Sequence, residues 1–296
     1  MNKEEITNWF KELQDDICRQ LETVDGKALF EEDKWTREGG GGGRSRVIKN
    51  GNIIEKGGVN FSAVYGTMPD KILHALQLEK ADFYATGISI VMHTQNPWCP
   101  IIHMNTRYFE MSNGTKWFGG GIDLTPHYVI QEDAKFFHQA LKDVCDKHHP
   151  TYYPEFKKWA DDYFFIKHRD ETRGIGGIFF DRMQETDKIS LATRFEYVKD
   201  VGKTFAPTYI SILNKNKERP FSEAEKKWQF LRRGRYVEFN LVYDKGTKFG
   251  LDTDGRTESI LMSLPPVANW EYNYIPEEGT LESDTLRLLK KDINWI

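Results

Sequence analysis

An antiparallel α+β fold in a single domain is what this 296-residue chain predicts, on three observations. Segments rich in β-branched and aromatic residues follow one another across short Asn-Gly, Asp-Gly and Asp-Lys-Gly turns. Helical patterns come in blocks rather than alternating one for one with strands, which disfavours a doubly wound parallel sheet. No internal repeat and no long flexible linker divides the chain.

The elements follow in order. Ile6, Trp9, Phe10, Leu13, Ile17 and Leu21 recur at helical spacing and Gly26 comes after them, so the chain opens with an amphipathic helix that ends at a glycine stop. The glycine run from Gly39 to Gly43 reads as a mobile loop between two strands, and Asn50-Gly51 marks the next hairpin. Residues 82–111 read as two strands joined by the proline-bounded segment Asn96-Pro97-Trp98-Cys99-Pro100, and Asn113-Gly114 turns into a strand at 116–129. Helices are expected at 132–148, 155–167 and 189–213, the last disturbed at Pro207, with a glycine-rich strand at 173–180. Ser222 and Glu225 form a capping box for a helix running to Arg233. Residues 236–243, 247–253 and 257–264 then read as three strands, and helix resumes near Ser283.

Composition narrows the function. Lys and Arg number 41 against 45 Asp and Glu, a net charge of −4 with no concentrated basic patch, which argues against a nucleic-acid partner. No stretch approaches the roughly 18 apolar residues of a membrane span, and the segment from Met1 to Phe10 is acidic rather than signal-like. The three cysteines, Cys18, Cys99 and Cys145, are widely spaced and odd in number, so no disulfide framework or CxxC site is read, and a cytoplasmic protein is expected.

Familiar cofactor signatures fail. Gly202-Lys203-Thr204 resembles the tail of a phosphate loop, but Tyr197 stands where its first glycine is required. Neither glycine run completes G-x-G-x-x-G, because Arg44 and Phe179 occupy the last positions. No organic cofactor is announced.

The chemistry concentrates between Gly87 and Arg107. Side chains alternate along a strand, so Ser89, Val91 and His93 share one face of the first strand, and His103, Asn105 and Arg107 share one face of the second. Antiparallel pairing can bring both sets to one side, gathering a hydroxyl, imidazoles, an amide and a guanidinium as a binding and proton-transfer site requires. A solvated polar face explains either strand alone. His138 and His168 lie in helical patterns where structural roles are commoner, and their spacing to His93 and His103 is no ligand motif. Arg44, Arg46, Arg169, Arg173 and Arg256 each stand beside a glycine loop, an arrangement suited to carboxylates, although solvated turns are the ordinary case for any one. Asp181 ends an apolar strand as either a turn cap or a buried acceptor.

These residues sit in blocks that cover nearly the whole chain: 40–47 (GGGGRSRV), 58–62 (GVNFS), 93–107 (H-x-x-N-P-x-x-P-x-x-H-x-N-x-R), 117–126 (WFGGGIDLTP), 158–164 (KWADDYF), 167–169 (KHR), 173–181 (RGIGGIFFD), 232–242 (RRGRYVEFNLV) and 257–263 (TESILMS). Taken in this order they resemble the oxygen-dependent coproporphyrinogen III oxidases. The resemblance implies a large, mostly antiparallel sheet with helices on both faces and the substrate in a deep cleft. It implies a homodimer of haem biosynthesis, in contact through about 236–271, that turns two propionates of coproporphyrinogen III into vinyl groups, consuming O₂ and releasing CO₂ and hydrogen peroxide. By the same resemblance, substrate contacts fall on Ser89, on Asn105, Thr106 and Arg107, and on Asp254, Gly255 and Arg256, and the proton donor is His103. A divalent metal, whose requirement stays open, falls on His93, His103, His138 and His168. Asp254 departs from the glycine commoner in bacterial relatives. Pyrrole N–H groups are donors only, so Asp181 is expected to accept from them or take a proton. The electron-rich substrate can itself reduce O₂, so no organic cofactor is required.

Overall fold

The computed structural model describes residues 2–68, 73, 81–252 and 255–296. Helix α1 (Lys3–Asp25) starts at a capping box formed by Asn2 and Glu5 and stops at Gly26, whose φ of 71° is the left-handed conformation that favours glycine. Six strands follow: β1 (Glu31–Thr36), β2 (Gly41–Lys49), β3 (Ile54–Thr67), β4 (Asp82–Thr94), β5 (Ile101–Met111) and β6 (Lys116–Thr125). Next come α2 (Gln131–His148), α3 (Tyr152–Tyr163), the short pair β7 (Phe165–Ile166) and β8 (Glu171–Thr172), and β9 (Gly177–Met183). The chain closes with α4 (Leu191–Asn216), α5 (Glu223–Val242), α6 (Lys245–Asp252), α7 (Thr257–Leu261) and α8 (Leu281–Leu288).

Strands β1 to β6 pair in sequence order and β9 joins β6, forming a seven-stranded sheet that is antiparallel throughout. One face, carrying Val59, Ile88, Ile90, Ile102, Met104, Tyr108, Phe118 and Ile122, packs in the main core with Phe10, Leu13 and Ile17 of α1, Phe137 and Leu141 of α2, and Phe195, Val198 and Phe205 of α4. The other face lies beneath α5 and the segment around α7, with Tyr236 against Val91 and Ile101. The expected antiparallel α+β architecture with helices on both sides is thus present.

Three local expectations are corrected. Of the residues read as strands at 236–243, 247–253 and 257–264, those at 236–242, 247–252 and 257–261 are helical, and residue 253 lies outside the described residues. The Ser222–Glu225 box nucleates α5, and nothing breaks it before Asp244; Leu231, Tyr236 and Phe239 are buried along it, and this packing overrides local β-propensity. The glycine run is not a loop. Gly40 and Gly41, at φ of 115° and 83°, make the turn from β1, while Gly42 and Gly43 lie in the ladder, where a Cβ on Gly43 would come 2.5 Å from the Trp35 ring. Pro207 lies inside α4, which continues to Asn216.

One buried carboxylate ties α1 to the β2–β3 hairpin. Asp25 accepts from the backbone N–H groups of Ala28, Asn52, Ile53 and Ile54 at 2.9–3.1 Å. Burial raises its pKa, but the four donors outweigh that and hold it below 3.8. Its contribution to stability is therefore complete above that value and is lost as the pH falls through the depressed one. Asp25→Ala is expected to cost ~3 kcal/mol in urea unfolding at neutral pH, because the buried donors lose their acceptor; a cost below ~1 kcal/mol would show that these donors are readily satisfied elsewhere.

Candidate active site

The burial alternation of β5 reveals the polar face: residues 102, 104, 106 and 108 are buried in the core, while His103, Asn105 and Arg107 are half-buried on the other side. Register then decides which neighbours they meet. Ser89 pairs with Asn105, Val91 with His103 and Gly87 with Arg107. On the next strand Asp123 pairs with His103, Gly121 with Asn105 and Gly119 with Arg107. Paired positions on one face bring Cβ atoms within about 5 Å, so Ser89, His103, Asn105 and Arg107 form the single patch that alternation predicted.

His103 is held from behind. Its Nδ1 donates to Asp123 Oδ1 at 2.7 Å, which leaves Nε2 as the ring nitrogen for a bound molecule. Asp123 is 1% exposed and is also bridged by Arg173 Nη2, at 2.7 Å to each carboxylate oxygen. Burial acts to raise the Asp123 pKa, but the Arg173 charge and the His103 hydrogen bond outweigh it and hold the carboxyl below 3.8. Arg173 in turn donates to Asn240 Oδ1 of α5 at 2.8 Å and lies over the rings of Phe164, Tyr236 and Phe239 at 4.3–4.9 Å. Charge on the guanidinium is thus balanced by one carboxylate and three aromatic faces.

A second ion pair borders the patch. Arg107 Nη2 donates to Asp181 Oδ1 at 2.7 Å and Nη1 to Asn105 Oδ1 at 3.0 Å. Both side chains cross Gly119, where a Cβ would come 2.3 Å from Asp181 Oδ1, so glycine is what lets the pair lie flat on the sheet. Asp181 is neither a turn cap nor fully buried; it is the half-exposed partner of Arg107. Phe179, over Gly121, stacks on Tyr163 at 4.4 Å and gives the patch an aromatic border. At the far edge Arg256 donates to Ser45 Oγ at 3.2 Å and Ser259 Oγ at 3.0 Å and pairs with Asp33.

A sequence profile of the coproporphyrinogen III oxidase family matches residues 5–295. The chain belongs to that family. Curated relatives include the chloroplastic oxygen-dependent coproporphyrinogen III oxidase of Glycine max, 50% identical over 97% of this chain and 77% of the relative. Coproporphyrinogen III oxidase 1 of Arabidopsis thaliana, also chloroplastic, is 49% identical over 96% of this chain and 76% of its own length. The oxygen-dependent enzyme of Nicotiana tabacum is 48% identical over 97% and 75%. This family member is accordingly an oxidoreductase of haem biosynthesis.

Not every expected site residue of this coproporphyrinogen III oxidase family member reaches the patch. Thr106 points the other way: strand alternation sends it into the core at 0% exposed, so its expected substrate contact is corrected. Gly255 sits in the turn before α7, its N–H donating to Gly250 O at 2.8 Å, and Asp254 lies outside the described residues.

The four-histidine metal centre is likewise corrected, because the imidazoles do not converge. His93 is buried and donates through Nε2 to Ser263 O at 2.8 Å. His138, buried among core residues, donates through Nε2 to Ile175 O and accepts at Nδ1 from Tyr153, both at 3.0 Å; burial pushes its pKa down to about 3. His168 stands at the surface between Glu238 Oε2 at 2.7 Å and the Tyr243 hydroxyl at 2.9 Å. Among the described residues no group of three or more His, Cys, Asp or Glu is placed to hold a metal ion. These residues do not fit a bound metal.

The sequence reading overlooked Asp123 and Asn240 and placed Arg173 only beside a glycine loop. An acid at the end of the glycine strand, in phase with Gly119 and Gly121, was the available signal: a charge on a buried strand needs a partner.

Proposed function

We propose that this chain carries out the oxidative decarboxylation of two propionates of coproporphyrinogen III to vinyl groups with O₂. The observation that carries the assignment of roles is the buried Arg173–Asp123–His103 chain, which orients one imidazole beside Arg107. Each propionate, R–CH₂–CH₂–COO⁻, reacts with O₂ and one proton to give R–CH=CH₂, CO₂ and H₂O₂. A C–H bond and the bond to the carboxylate break, two electrons pass to O₂, and one proton is consumed. His103 Nε2 supplies that proton while Asp123 holds the ring through Nδ1. Arg107 binds a propionate in the planar geometry of guanidinium–carboxylate pairs, and Asp181, its ion-pair partner, accepts from the pyrrole N–H groups. Ser89 and Asn105 complete the contacts from the adjoining row, and Arg256 meets a propionate at the far edge. The two electrons come from the propionate being decarboxylated, activated by the electron-rich ring to which it is attached, so no organic cofactor takes part.

Purified protein incubated with coproporphyrinogen III in air should form vinyl groups with O₂ uptake. Binding without O₂ uptake would identify a carrier instead. Dependence on a tightly held flavin, or abolition of turnover by a chelator with recovery on adding metal, would overturn the cofactor-free reading. Arg107→Ala is expected to raise KM by roughly 10–100-fold with a smaller change in kcat, since a lost charge-assisted contact is worth ~1.5–3 kcal/mol. An unchanged KM would remove Arg107 from substrate binding.

The same reading keeps a homodimer in contact through about 236–271. Six of the fourteen exposed large apolar side chains among the described residues fall within 236–271, including Phe249, Val267 and Trp270, which supports an apolar contact there. Trp270→Glu is expected to shift sedimentation from dimer toward monomer; a wild-type chain that sediments as a monomer sinks this assembly. The cytosol is kept as the compartment, supported by three cysteines that are all free and buried. Cell fractionation tests it directly.

A further inference from the structure

One residue row from His103, α5 crosses the ends of β4 and β6 and brings together four side chains that are all 0% exposed: His93, His127, Gln229 and Arg233. Gln229 Nε2 and Arg233 Nη2 both donate to Thr94 O, at 3.0 and 2.9 Å, and Arg233 Nη2 also pairs with Glu55. His93 precedes Thr94 in the chain, and Trp228 Nε1 of α5 donates to His127 O at 2.6 Å.

Each imidazole spends one nitrogen on a carbonyl: His93 Nε2 on Ser263 O at 2.8 Å and His127 Nδ1 on Pro97 O at 3.1 Å. A carbonyl only accepts, so those nitrogens carry the hydrogens. In a neutral ring the lone pair then belongs to His93 Nδ1 and His127 Nε2. Burial and the Arg233 charge keep both rings neutral, lowering His93 to about 3 and His127 well below its ordinary value.

Among the described residues neither lone pair has a hydrogen-bond partner, nor does Gln229 Oε1. On the donor side, Arg233 Nε and Nη1 have no partner among the described residues either. Three acceptors and a guanidinium's unused N–H groups therefore share one buried region with complementary chemistry, yet do not reach one another. Groups so matched and so buried each cost free energy unless something bridges them.

We infer that this cluster is an internal hydration site, in which ordered water accepts from Arg233 and donates to the free lone pairs of His93 and His127. Buried water typically makes about three hydrogen bonds, which these groups supply. A divalent cation would find only two imidazole ligands here and the repulsion of the adjacent guanidinium. His93 is on this account a water acceptor under the polar face, held in orientation by Ser263 and by the Tyr236 ring, edge-on at 5.3 Å.

Crystals of the full wild-type chain at neutral pH, grown with and without added Zn²⁺ and measured for anomalous scattering, test the inference. Density for water within about 3.2 Å of Arg233 Nε or Nη1, and equally close to His93 Nδ1 or His127 Nε2, is expected in both. A direct contact of Arg233 with either ring that closes the gap would overturn it. So would an anomalous peak between the two imidazoles. Long-range ¹⁵N correlation spectra of the wild-type protein give a second reading that needs no variant. They should show hydrogen on Nε2 of His93 and on Nδ1 of His127 at neutral pH, and the opposite tautomer or an imidazolium for either would count against it.

Discussion

Asp123→Asn is expected to lower kcat by ~10²–10⁴-fold and to destabilise the fold by ~3–5 kcal/mol, the first by the logic of a mis-set imidazole and the second by that of a broken buried ion pair. Both follow from one carboxylate serving two partners. Arg173 is 3% exposed, and its guanidinium then keeps its full charge without the counter-charge it was buried against. Towards His103 an amide can present its NH₂, which would force the ring into the tautomer that carries its hydrogen on Nε2. Turnover measured with the folded fraction known from urea titration separates the two effects. The wild-type pair also has a pH signature. Because the Asp123 pKa lies below 3.8 in the folded chain, the stability it confers is whole above that value and is lost as the pH falls through the depressed one. Asn at 123 should remove that part of the acid sensitivity. A variant of wild-type stability and turnover would show that the chain behind His103 does not position it.

His103→Ala should reduce kcat by ~10²–10⁴-fold, the ordinary worth of a positioned proton donor, while circular dichroism and the urea midpoint change little. The fold tolerates the loss because His103 is half-buried at the surface of the sheet and Asp123 keeps Arg173 after the imidazole is gone. KM should hardly move, since the propionate contacts assigned to Arg107 and Arg256 remain. His103→Asn sharpens the comparison: its amide can still donate to Asp123 but offers no second ring nitrogen to the substrate. Equal loss in both variants assigns the effect to proton transfer, whereas recovery in Asn would mean that packing against Asp123 was what mattered. Unchanged turnover in the alanine variant ends the proton-donor role altogether.

How much of the site could be read in advance depends on the range of the interaction. His103, Asn105 and Arg107 share a face because successive side chains of a strand alternate, and any strand over 101–111 has that consequence. That Ser89 stands opposite Asn105 depends on register, which the Asn96–Pro100 connection and the buried face set together. Asp123 was missed because its partner lies 50 residues away in the chain, across a helical excursion that carries no local sign of the return. Thr106 was misplaced for the reverse reason: a resemblance assigned the whole Asn-Thr-Arg tripeptide, and alternation allows only its outer members to face the patch. The histidines were grouped by family role, yet His138 and His168 are each engaged by neighbours on their own side of the fold.

Sequence by itself determined the antiparallel strands within residues 82–125, the amphipathic first helix with its glycine stop, and the face shared by His103, Asn105 and Arg107, because each depends on a period of a few residues. Only tertiary structure decided that 236–242, 245–252 and 257–261 are helical and that Asp123 and Arg173 stand behind His103. The same holds for His93, which is held by Ser263 and the Tyr236 ring. Those outcomes are set by burial of charge and ring against segments far away in the chain, where the free energy of packing outweighs local preference.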